Sequence, residues 1–84
     1  MTASEFGEEL EYLARLLETG GNRDVPRSAI PSYFSVQAVN ASELGAEIVA
    51  VDLRWIANRY AEMTASIRTD ATNLLRGHIA KFAD

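Results

Sequence analysis

Residues 44–57 carry apolar side chains on two faces of one helical pattern, and this double stripe most constrains how the chain can fold. Leu53, Ile56, Tyr60, Met63 and Ile67 recur at 3-4-3-4 spacing, with Ala46 and Val49 extending the seam backwards and Leu74 forwards. Leu44, Ile48, Val51 and Trp55 recur at 4-3-4 spacing along another face. Both spacings belong to an amphipathic α-helix. No proline occurs from Asn40 to the end, and Asn40 and Glu43 have capping-box spacing. The pattern therefore predicts a long C-terminal helix over 41–83, about 64 Å if unbroken. Within it, TASIRTDATN (64–73) is poor helix-interior chemistry, which leaves a kink near Thr69-Asp70 open.

The rest of the chain is too short to cover both stripes. Residues 2–19 read as one amphipathic helix of about 27 Å. Thr2 and Glu5 have T-x-x-E spacing, Phe6, Leu10, Leu13 and Leu17 form the apolar stripe, and Gly20 is placed to end the helix. GGNRDVPRSAIP (20–31) is a loop pinned by Val25, Ala29 and Ile30. SYFSVQAV (32–39) is rich in β-formers, but a lone strand has no partner, so a short helix capped by Ser32 is the better reading. The expected fold is all-α, one helical domain over 1–84.

Two architectures would cover the stripes. The long helix could break and fold back into a three- or four-helix bundle, or it could pair with a second copy of the chain. The two-sided apolarity favours a homodimer, with Val49, Leu53, Ile56, Tyr60, Met63 and Ile67 as its seam. Trp55, on the other stripe, is then expected to be buried against the first helix or the partner.

Charge points to where a partner would bind. Residues 1–19 hold Glu5, Glu8, Glu9, Glu11 and Glu18 against Arg15, while the remainder balances seven acids with seven bases. The whole formal charge of -4 thus lies on the first helix. Glu8, Glu9 and Glu11 are the expected contact surface for a basic protein partner. Glu11 and Arg15 form a local i, i+4 pair. An acidic chain disfavours general nucleic-acid binding.

The residue inventory points away from catalysis. There is no cysteine and one histidine, so no thiolate nucleophile and no multi-histidine metal centre is expected. No Gly-rich phosphate fingerprint leads from a strand into a helix. No cofactor is expected, and the chain reads as a non-enzyme: a regulator, adaptor or assembly factor. No apolar run approaches the ~18 residues of a membrane span. The acidic start lacks a signal-peptide core, so a cytoplasmic location is expected.

Three further features carry alternatives. Arg23, Arg27, Tyr33 and Phe34 lie close together around the loop, where two guanidiniums and two rings could hold an anionic, stackable ligand such as a nucleotide. His78 and Lys81 spell H-x-x-K, which resembles the phosphoacceptor motif of histidine phosphotransfer domains. That role needs an exposed histidine, and the plainer reading is a histidine and a lysine suited to a helix C-terminus. Finally, LRWIANRY (53–60) resembles the second helix of secreted WXG100-type helical hairpins, a resemblance confined to those residues. It implies a secreted two-helix hairpin.

Overall fold

A computed structural model describes residues 1–82. Among them are four α-helices: α1 (Ala3–Thr19), α2 (Ile30–Glu43), α3 (Glu47–Arg59) and α4 (Ala65–Ile79). Single 3-10 turns at Arg27–Ala29, Tyr60–Glu62 and Ala80–Phe82 lead into α2, follow α3 and follow α4.

α1 starts and stops where its chemistry requires. The Glu5 amide donates to Thr2 Oγ1 at 3.1 Å, and the Thr2 amide donates to Glu5 Oε1 at 2.8 Å. This reciprocal box satisfies two donors that a helix start leaves unpaired. At the other end Gly20 takes the left-handed conformation (φ 79°), and its amide reaches the Leu16 carbonyl.

The following loop is ordered. The Val25 amide donates to Asn22 Oδ1 at 2.7 Å, and the Asn22 side-chain amide reaches the Tyr12 hydroxyl at 2.9 Å. Val25 and Ile30 are buried. α2 then begins at Ile30 with Pro31 in its first turn, two residues before the expected cap at Ser32. Asn40 lies inside α2, where its amide donates to Gln37 Oε1 at 2.9 Å and caps nothing.

The single long helix over 41–83 is corrected by two interruptions. At the first, Gly45 adopts φ 78°, the Gly45 amide donates to the Ser42 carbonyl at 3.0 Å, and the Ala46 amide donates to the Ala41 carbonyl at 2.9 Å. This pair of bonds is a Schellman stop, available here because glycine enters the left-handed region at little cost. At the second, the 3-10 turn Tyr60–Glu62 leads to Met63 in an extended conformation, and Thr64 Oγ1 caps α4 by accepting from the Ile67 amide at 3.2 Å. The Thr/Ser-rich stretch therefore starts a helix. α4 runs unbroken through Thr69-Asp70, and the Thr69 and Thr72 hydroxyls donate to carbonyls four residues back.

The breaks allow two packed helix pairs to form one bundle. α2 packs against α3 across the short turn, with Ala38, Ala41 and Ala50 all buried, so that the two backbones approach closely. α1 packs against α4, and Phe82 sits edge-on to Phe6 with ring centroids 5.1 Å apart. One hydrophobic core joins the pairs, with Phe6, Leu10, Leu13, Phe34, Leu53 and Ile56 among its fully buried members. Among the described residues no helix is long and apolar enough to cross a membrane.

Candidate functional site

Two turns of α3 present an exposed apolar face; Val36 and Val39 are exposed on α2. The core side of this helix is Val49, Ala50, Leu53 and Ile56, which fill the bundle's own interior. At 100° per residue, Ile48, Val51 and Trp55 fall on the opposite side. They remain 69%, 56% and 46% exposed. Spacings of three and four residues make them neighbours on one face.

Shallow hollows flank this face. One of about 220 Å³ lies along Glu47, Ile48, Val51 and Asp52. Ile48 also borders a groove of about 460 Å³ that runs past Leu44 and Ala46 towards Lys81 and Phe82. Beyond Trp55, a hollow of about 110 Å³ is lined by Arg59, Glu62, Met63 and Ile67, the last 40% exposed. Charged groups edge the face: Glu47, Arg54 and Arg59 are exposed and Asp52 is half-buried. An apolar strip with a polar margin can take another apolar surface.

The expected dimer seam is corrected. Val49, Leu53, Ile56, Tyr60 and Met63 are buried within a single chain, because the fold-back of α3 and α4 covers them; only Ile67 of that set is exposed. Trp55, expected to be buried against the first helix or a partner, is half exposed in the single chain and does not pack into the bundle core formed with α1. The two stripes were thus divided correctly, but the seam lies inside the subunit and the second stripe outside it.

The acidic surface on α1 is also corrected. Glu11 and Glu18 are both gripped by Arg76 on α4. Its Nη2 lies 3.1 Å from Glu11 Oε1 and 2.7 Å from Glu18 Oε1, Nε lies 3.1 Å from Glu11 Oε2, and Nη1 lies 2.8 Å from Glu18 Oε2. Hydrogen bonds from Arg76 hold both carboxyls below the usual glutamate range. Glu11 keeps the expected contact with Arg15 at a looser 3.5 Å. Glu9 accepts from the Tyr33 hydroxyl, and burial together with this carboxylate raises the phenol above its usual range. Of the three expected partner-facing acids, Glu8 alone is exposed.

The loop cluster does not assemble as a stacking site. Arg23 and Arg27 are exposed, and neither forms a salt bridge among the described residues. Phe34 is fully buried in the core, and Tyr33 is committed to Glu9 and to an edge-on contact with Tyr12 at 5.8 Å. The guanidiniums therefore lack the free rings that the anion reading needs.

His78 is buried, which removes the phosphoacceptor role. Its Nε2 lies 2.7 Å from Asp52 Oδ2, and Lys81 Nζ lies 3.0 Å from its Nδ1. An ammonium can only donate, so Nδ1 accepts and Nε2 carries the proton given to Asp52. Both ring nitrogens are thus used, and the three side chains tie α3 to the end of α4. The sequence placed His78 beside Lys81 but carried no signal for Asp52, 26 residues away.

Trp55 stands in the third turn of α3, and the described residues make four helices where the WXG100-type hairpin has two. Neither known protein families, nor curated proteins, nor solved structures contain a match to this chain.

Proposed function

We propose that this chain is a small non-enzymatic protein–protein interaction module that works as a homodimer through the outer face of α3. The observation that carries the reading is the exposure of Ile48, Val51 and Trp55 on one helical face. Apolar surface left in water costs about 25 cal/mol per Å² relative to burial, so a second apolar surface placed there gains this free energy. Tryptophan and arginine are the residue types that anchor interfaces most strongly, and here Trp55 stands beside Arg59.

Size-exclusion chromatography with light scattering tests the proposal. The expected mass at micromolar concentration is twice the 9.2 kDa of the chain. Ile48→Asp with Trp55→Asp should return it to the single-chain mass while the circular dichroism melt stays close to that of wild type, since substitutions at exposed positions usually shift stability by under ~0.5 kcal/mol. A wild-type protein that stays monomeric at tens of micromolar would overturn the homodimer. A dimer indifferent to these two substitutions would place its interface elsewhere.

A further inference from the structure

We infer that the two copies meet with their α3 helices antiparallel, so that the acidic N-terminal half of each lies along the basic C-terminal half of the other. The inference rests on the homodimer reading and adds its geometry. Charge order along α3 carries it. Between Glu47 and Arg59 the acids are Glu47 and Asp52, both in the first half, and the bases are Arg54 and Arg59, both in the second. At 100° per residue Glu47 and Arg54 flank one edge of the exposed apolar face and Asp52 and Arg59 the other, one oxygen of Asp52 already accepting from His78.

A parallel pair brings opposite edges together and would set Glu47 near the partner's Asp52 and Arg54 near the partner's Arg59, like charge against like. An antiparallel pair keeps each edge against its own copy and sets Glu47 against the partner's Arg54, twice over by the same two-fold symmetry that makes the patch match itself. The level midway between Glu47 and Arg54 lies between Ala50 and Val51. For Ile48 and Trp55 the level lies between Val51 and Asp52. Charge and apolar pairing thus locate the axis within two residues of each other along the helix. Ile48 then packs near the partner's Trp55, while Val51 lies near the axis.

Charge reversal within one chain is the test. Glu47→Lys alone and Arg54→Glu alone should each weaken the dimer by roughly five-fold at low salt, and less at high salt, as expected of exposed pairs that occur twice by symmetry. The double variant, carrying both reversals, should return the dissociation constant to within about two-fold of wild type. Single reversals that leave a Trp55-dependent dimer unchanged, or a double variant no tighter than the singles, would overturn the antiparallel arrangement while leaving the dimer intact. A wild-type monomer would instead remove the dimer itself. The chain has no cysteine, so oxidised Arg59→Cys gives a further readout. Antiparallel helices hold the two positions about 20 Å apart, beyond disulfide reach. An Arg59→Cys disulfide dimer therefore also overturns the proposal, and its absence in a dimeric sample supports it.

Discussion

His78 Nε2 on α4 lies 2.7 Å from Asp52 Oδ2 on α3, and this contact joins one half of the bundle to the other. Removing the imidazole leaves Asp52 without its donor and opens space among core residues. His78→Ala is expected to lower unfolding stability by about 1–3 kcal/mol. Asp52→Asn should cost less, because an amide oxygen still accepts from Nε2. Urea denaturation of the two variants checks the order. Equal, negligible effects would show that the contact carries no stability.

The Arg76 cluster predicts how stability responds to acid. The Glu11 and Glu18 carboxyls are held below the 4.5 of an ordinary glutamate, first by hydrogen bonds from Arg76. A depressed carboxyl contributes stability that is complete above its unfolded value and is lost as pH falls through its folded value. The melting temperature should therefore be flat with respect to these groups from pH 7 to 5 and fall below about pH 4.5. Arg76→Gln should lower it at pH 7 and make the acid fall shallower. If wild type and Arg76→Gln traced parallel curves, the two carboxylates would not be the cause.

The former seam and the outer stripe are distinguished by two isoleucines on α3. Ile56 is fully buried inside one chain, whereas Ile48 is largely exposed. Ile56→Asp places an unpaired charge in the core and is expected to cost about 3–5 kcal/mol, enough to unfold a small domain. Ile48→Asp should keep the fold and act only on association. Far-ultraviolet circular dichroism at a single low concentration separates the two effects. A folded, monomeric Ile56→Asp would show that the seam is an interface after all.

These residues also show what the sequence revealed and what it concealed. Hydrophobic spacing identified Leu53, Ile56, Tyr60 and Met63 as one inward surface, and all four are buried. The same spacing said nothing about backbone continuity, because Tyr60 and Met63 point inward from a 3-10 turn and an extended residue. Local chemistry was legible where its partners lie within a few residues, as with the Thr2–Glu5 box and the Gly20 stop. Gly45 carried a stop signal of the same kind, but it was masked by the apolar stripe that runs through it. Asn40 and Glu43 imitated a cap inside α2. Contacts between distant positions were invisible: Glu11 was paired with Arg15, yet its closer partner is Arg76, 65 residues away. Glu9 is likewise held by Tyr33, which leaves Glu8 as the exposed acid of the three.

The glycines give a last, sharply signed prediction. Gly77 lies in α4 with open space where a Cβ would stand, so alanine there gains helix propensity and restricts the unfolded chain. Gly77→Ala is expected to raise stability by about 0.5–1 kcal/mol. Gly21 is the opposite case. It holds φ 118°, and an added Cβ would meet the Arg27 amide nitrogen at 2.8 Å and the Val25 carbonyl oxygen at 2.9 Å. Both are backbone atoms of the loop that Val25 anchors, so neither can swing aside as a side-chain tip could. Gly21→Ala should cost about 1–3 kcal/mol. Gly7 falls between them. Its Cβ would stand 3.2 Å from Phe82 Cβ, so the gain in helix propensity on α1 is offset by displacement of Phe82. Gly7→Ala should therefore be less favourable than Gly77→Ala, although both glycines lie inside helices. Chemical denaturation of the three variants should rank them Gly77→Ala, Gly7→Ala, Gly21→Ala from most to least stable. A Gly7→Ala protein as stabilised as Gly77→Ala would show that Phe82 does not pack closely against α1.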